Sequence, residues 1–62
     1  MIKNGQFYEH KNSKRVYCVL DVANECATDK QKWPTIVVYV DENRRVWAKE
    51  QSDFLESFKE IK

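Results

Sequence analysis

Sixty-two residues make one domain, read over 1–62, and 42% apolar with 34% charged residues describes a chain that folds rather than one that stays disordered. A net charge of +1 excludes a strong overall field for recruiting nucleic acid or an anionic membrane. No apolar run approaches the roughly 18 residues that a spanning helix needs.

Residues 1–6 lack an apolar leader, so the expected location is the cytoplasm, with Cys18 and Cys26 as reduced thiols. A lone domain of this size buries little surface, and such chains add disulfides, a metal or copies of themselves.

In chain order, residues 6–10 form a short strand candidate introduced by Gly5, the single glycine. Lys11-Asn12-Ser13-Lys14 is the turn after it, with Asn and Ser supplying local side-chain hydrogen bonds. Residues 15–23 predict a longer strand, with Val16, Cys18, Leu20 and Val22 on one face and Tyr17, Val19 and Asp21 on the other. Residues 24–32 are polar and read as a loop.

The one long apolar run follows, from Lys32 through Trp33 and Pro34 to Val40. It is β-branched and aromatic, and bounded by Pro34 and by Asp41-Glu42-Asn43, so it reads as a strand buried on both faces at the centre of a curled sheet. Ile36, Val38 and Val40 share one face; Thr35, Val37 and Tyr39 share the other. Asp41 to Arg44 predicts a hairpin turn, and residues 45–49 the returning strand, with Val46 and Ala48 opposite Arg45, Trp47 and Lys49. At the C-terminus Phe54, Leu55, Phe58 and Ile61 fit helical spacing, with Ser52 and Asp53 as a helix start. A helical turn near 52–55 is expected, followed by more helix or by a closing strand, because Leu55, Ser57, Lys59 and Ile61 also alternate.

If Val16, Cys18, Leu20, Ile36, Val38, Val46 and Ala48 line the interior, the opposite face still carries Tyr17, Val19, Val37, Tyr39 and Trp47. The C-terminal segment covers part of that surplus, and the remainder predicts an interface or groove. Self-association would also relieve the small-core problem.

Chemistry-bearing residues are few. His10 is the single histidine, Cys18 lies mid-strand as a small hydrophobe and Cys26 lies in the loop. Neither cysteine has a glycine-rich turn or helix start beside it to serve as an oxyanion site, so no catalytic residue is assigned. The spacing of Cys18, Cys26 and His10 fits no structural zinc pattern, and no metal or other cofactor is assigned. Lys11, Lys14 and Arg15 cluster at one turn, and Arg44, Arg45 and Lys49 at another. Tyr8, Tyr17, Tyr39 and Trp47 are interleaved, a pattern that can stack on bases and clamp phosphates, although nearby acids also suit an ordinary solvated surface.

The phrases Tyr8-Glu9-His10-Lys11, Val16-Tyr17-Cys18-Val19-Leu20-Asp21-Val22-Ala23, Pro34 with Val37-Val38-Tyr39, Val46-Trp47-Ala48-Lys49 and Phe54-Leu55-Glu56 occur in a shared order. Together they resemble the uncharacterised bacterial and phage family known as domain of unknown function sixteen fifty-three. The resemblance implies a mainly β, small SH3-like barrel of four to five antiparallel strands with a short C-terminal helical segment. Lys49 stands where that family usually has arginine, losing the bidentate fork, and Glu50 stands where it usually has proline. The family brings no activity. Its matching positions Tyr8, His10, Tyr17, Tyr39, Trp47 and Lys49, with Arg44 and Arg45, are the candidate ligand-binding residues.

The expected function is a non-enzymatic binding module, working as a homo-oligomer on a small anionic or nucleotide ligand. By analogy, a short reading frame with this resemblance suits a phage accessory protein that sequesters a host signalling nucleotide in anti-defence. One alternative is a protein-interaction domain docking on a host or partner protein through Tyr17, Tyr39 and Trp47. Another is a weak nucleic-acid binder using the two basic clusters.

Overall fold

The computed structural model describes residues 2–62. It has strands β1 (Phe7–His10), β2 (Val16–Ala23), β3 (Ile36–Val40) and β4 (Val46–Glu50), then helix α1 (Gln51–Ser57) and strand β5 (Phe58–Glu60). The strands form one antiparallel sheet in the order β4-β3-β2-β1-β5. Three successive hairpins would leave a flat meander. Here β5 returns to pair with β1, and α1 joins the two edge strands directly. The sheet therefore curls into a small, partly open SH3-like barrel, with α1 packed over its concave side.

Each turn has a chemical cause. After β1, the His10 Nδ1 accepts the backbone N–H groups of Asn12 and Ser13, both at 3.2 Å, so the ring itself caps the reversal. After β3, Asp41 Oδ1 accepts from the N–H groups of Asn43 at 2.8 Å and Arg45 at 3.0 Å. Both turns end on a non-glycine residue in the left-handed region, Lys14 and Arg44, each at φ 64°. Such a residue costs about 1 kcal/mol against glycine.

The concave face is the core. Tyr8, Val19, Val22, Val37, Tyr39, Phe54 and Phe58 are buried there with Ile2, and Tyr17 packs against them. This reverses the expected assignment: Val16, Cys18, Leu20, Ile36, Val38, Val46 and Ala48 do not line the interior. Val37 is fully buried whereas Ile36, Val38 and Val40 are half-buried, so β3 is covered on one face only, and β2 is the central strand of the order. The two faces of β3 are about equally apolar. What decides between them is ring volume: only the Tyr8–Tyr17–Tyr39 side can interlock with Phe54 and Phe58. Phe54 stacks on Phe58 at 4.4 Å between centroids and takes Tyr8 edge-on at 4.9 Å; Phe58 meets Tyr17 at 5.2 Å and Tyr39 at 5.3 Å.

Simple alternation also fails within β2. Val19 pairs with Tyr39 but Asp21 pairs with Val38, so one extra residue is inserted at Leu20. This bulge moves Val22 onto the core side with Val19 and leaves Leu20 44% exposed. At the C-terminus the competing reading holds: the helix ends at Ser57 and a short closing strand follows. The helix starts at Gln51, with Glu50 at the cap and no side-chain capping bond, so Ser52 lies inside it.

A groove at the open mouth of the barrel

The gap between edge strands β4 and β5 leaves part of the concave face uncovered. A groove of about 360 Å³ runs there, lined by His10, Tyr17, Tyr39, Trp47, Lys49 and Phe58. The register explains the gathering. Tyr39 pairs with Trp47 and His10 with Phe58, and all of these side chains point to the concave side. Five of the eight expected ligand-binding residues therefore meet in one place: His10, Tyr17, Tyr39, Trp47 and Lys49.

The other three do not line it. Tyr8 lies deeper, beyond Phe54, where its hydroxyl donates to Gln6 Oε1 at 3.3 Å and borders a separate groove with Ile2 and Leu55. Arg44 and Arg45 sit on the exposed β3–β4 turn, at the end of the sheet where the groove begins. The Lys11–Arg15 turn lies at the same end, and Arg15 lines a small hollow with Glu42 and Asn43. The sequence predicts Phe58 only as part of the C-terminal cover, at helical spacing; its pairing with His10 in β5 brings it to the groove.

Tyr39 is buried and Tyr17 half-buried, so of the expected outer aromatic patch only Trp47 is well exposed, at 48%. Its indole Nε1 donates to Asp41 Oδ2 at 3.0 Å. That bond, followed by those from the Arg45 and Asn43 backbone, holds the Asp41 carboxyl below the usual carboxylate range. Burial, then the Tyr17 charge, pushes the Tyr39 hydroxyl up; burial, then Glu60, does the same for Tyr8.

Electrostatically the groove is one-sided. Lys49 Nζ lies 5.8 Å from the centroid of the Phe58 ring. Among the described residues the only ion pair is Lys59–Glu9, at 3.5 Å, so Lys49 faces the rings without a carboxylate partner. The His10 Nδ1 is occupied by two amides, which leaves the ring proton on Nε2. No family model, curated protein or solved structure matches the chain.

The cysteines stand apart from this site. Cys18 is on the convex face rather than in the core, and Cys26 is exposed in the β2–β3 loop; both are free. Among the described residues no three His, Cys, Asp or Glu side chains converge as metal ligands, and no described helix is long and apolar enough to cross a membrane.

Proposed function

We propose that the chain is a non-enzymatic, cytoplasmic binding module, assembled as a homo-oligomer, that holds a small anionic ligand with a flat ring, a nucleotide, in the mouth of its barrel. The observation that carries this reading is Lys49, a cation without a carboxylate partner among Trp47, Tyr17, Tyr39 and Phe58. Trp47, the exposed ring, supplies a face for a base beside the half-buried Tyr17, the ammonium supplies the charge for a phosphate, and the His10 Nε2 proton adds a donor. At about 360 Å³ the groove is at the small end of ligand pockets, which run from roughly 300 to 1,000 Å³.

The two turns add support. Lys14 and Arg44 occupy left-handed positions that glycine would fill more cheaply, as Asn24 does, and the two basic turns lie at one end of the sheet. Kinship with the sixteen fifty-three family is part of the proposal. So, by analogy, is a phage accessory role in which a host signalling nucleotide is sequestered in anti-defence.

Calorimetric titration with a panel of mononucleotides, cyclic dinucleotides, inorganic phosphate and a free nucleoside tests the reading. Binding of a phosphorylated member, weakened for the bare nucleoside and lost in Lys49→Glu, is the expected result. Absence of heat across the panel would overturn it. The shared location of the two basic turns also favours a second reading, weak binding of single-stranded nucleic acid. That reading requires affinity for an oligonucleotide that falls steeply with salt.

A further inference from the structure

The curl of the sheet buries one face and leaves the other without a cover. On the convex side the register builds an apolar row across four strands: Phe7 pairs with Cys18, Cys18 with Val40, and Val40 with Val46. Ile61, whose N–H donates to the Phe7 carbonyl at 2.9 Å, prolongs the row past β5. Phe7 is 54% exposed and Val46 62%, with Leu20 of the β2 bulge and Ile61 above 40%. Small barrels ordinarily clothe this face in polar side chains. Charges border the row on either side: Glu9, paired with Lys59, lies in the next outward row toward the β1–β2 turn, and Asp21, opposite Val38 on the central strand, in the next row the other way. A contiguous exposed apolar row on a small protein marks an interaction surface.

We infer that this face seats a second copy of the same chain, sheet against sheet. The inference rests on the homo-oligomer part of the proposed function, and not on any ligand in the groove. A sheet that is apolar on both faces needs a layer on each, and among the described elements α1 covers only the concave one. An apolar hollow of about 160 Å³ lies at the middle of the row, beside Phe7, Cys18 and Val40, with Val46 at the β4 end and Ile61 at the β5 end. A two-fold axis along the central strand would set hollow on hollow and Val46 of each copy against Ile61 of the other. A net charge of +1 puts little repulsion between copies.

The area also fits a modest dimer. Five strands at about 4.8 Å spacing and three outward rows make a patch of roughly 500 Å² per copy. Two such patches bury about 1,000 Å², the floor for a specific interface.

Cys18 sits within the row and reports on its occupancy. With Cys26→Ser removing the loop thiol, sedimentation equilibrium and the rate of Cys18 alkylation by iodoacetamide are followed across micromolar to millimolar protein. A dimer is expected, with Cys18 alkylated several-fold more slowly wherever it is populated. Val46→Glu should restore a monomer with fast alkylation and an unchanged circular-dichroism spectrum. A monomer throughout the range overturns the inference together with the assembly reading. An oligomer whose Cys18 stays open and which ignores Val46→Glu overturns this surface alone, leaving assembly and nucleotide binding to be judged separately.

Discussion

The indole nitrogen of Trp47 donates to one carboxylate oxygen of Asp41 while the other oxygen holds the backbone of the same turn. One side chain thus folds the β3–β4 hairpin and fixes the aromatic wall of the groove, so the site is preorganised by the element that builds the sheet.

Asp41→Ala should therefore lower the melting temperature and red-shift Trp47 emission together, read in a Trp33→Phe background. Because the folded carboxyl titrates below its ordinary 3.8, the contribution of Asp41 is complete above that pH and is lost as pH falls through the depressed value. Acid titration should leave Trp47 emission flat down to about pH 4 and shift it only below the usual carboxylate range. A transition well above that range would contradict the hydrogen bond.

Phe54 is fully buried at the hub of the ring cluster. Phe54→Ala should cost about 3–5 kcal/mol, comparable with the whole stability of a domain this small. Urea denaturation should find the variant largely unfolded in water. A cooperative midpoint near that of the parent would mean that the core lies elsewhere.

Arg44→Gly separates stability from function. Glycine accepts the left-handed backbone without a Cβ penalty, so the variant should gain about 0.5–1 kcal/mol in chemical denaturation. If the turn cations serve the ligand, nucleotide affinity should fall at the same time. Arg44→Lys keeps charge and strain, and should change neither appreciably.

Trp47→Ala removes a half-exposed ring, so the fold should survive while nucleotide affinity drops by about 1–3 kcal/mol, the worth of a stacked base. Lys49→Arg should retain binding that Lys49→Ala loses. Titration calorimetry with matched melting curves checks both.

Tyr8 and Tyr39 ionise later than a free tyrosine because burial disfavours the phenolate. A raised folded pKa contributes stability that is whole below the unfolded value of about 10 and lost as pH rises through the folded one. Phenolate absorbance from these two residues should thus appear together with loss of the circular-dichroism signal in alkali. Their early titration in a still-folded protein would place them outside the core.

The antiparallel strand plan, the turns at 11–14 and 41–44 and the start of a helix near 52 were legible from local pattern alone; most of the candidate site residues came from the resemblance, and strand pairing gathered five of the eight. Period-two alternation sorts side chains into two sets, and turn chemistry marks where the chain reverses. Neither can say which set faces inward when both are apolar. That choice belonged to tertiary structure: Phe54 and Phe58 pack only with the Tyr8, Tyr17 and Tyr39 face, and the Leu20 bulge moves Val22 to join it. The face expected to be surplus, with Tyr17, Val19, Val37 and Tyr39, is the core, and exposed apolar residues stand instead on the Phe7–Cys18–Val40–Val46 side, because the core is assigned by which rings interlock rather than by how hydrophobic a strand is.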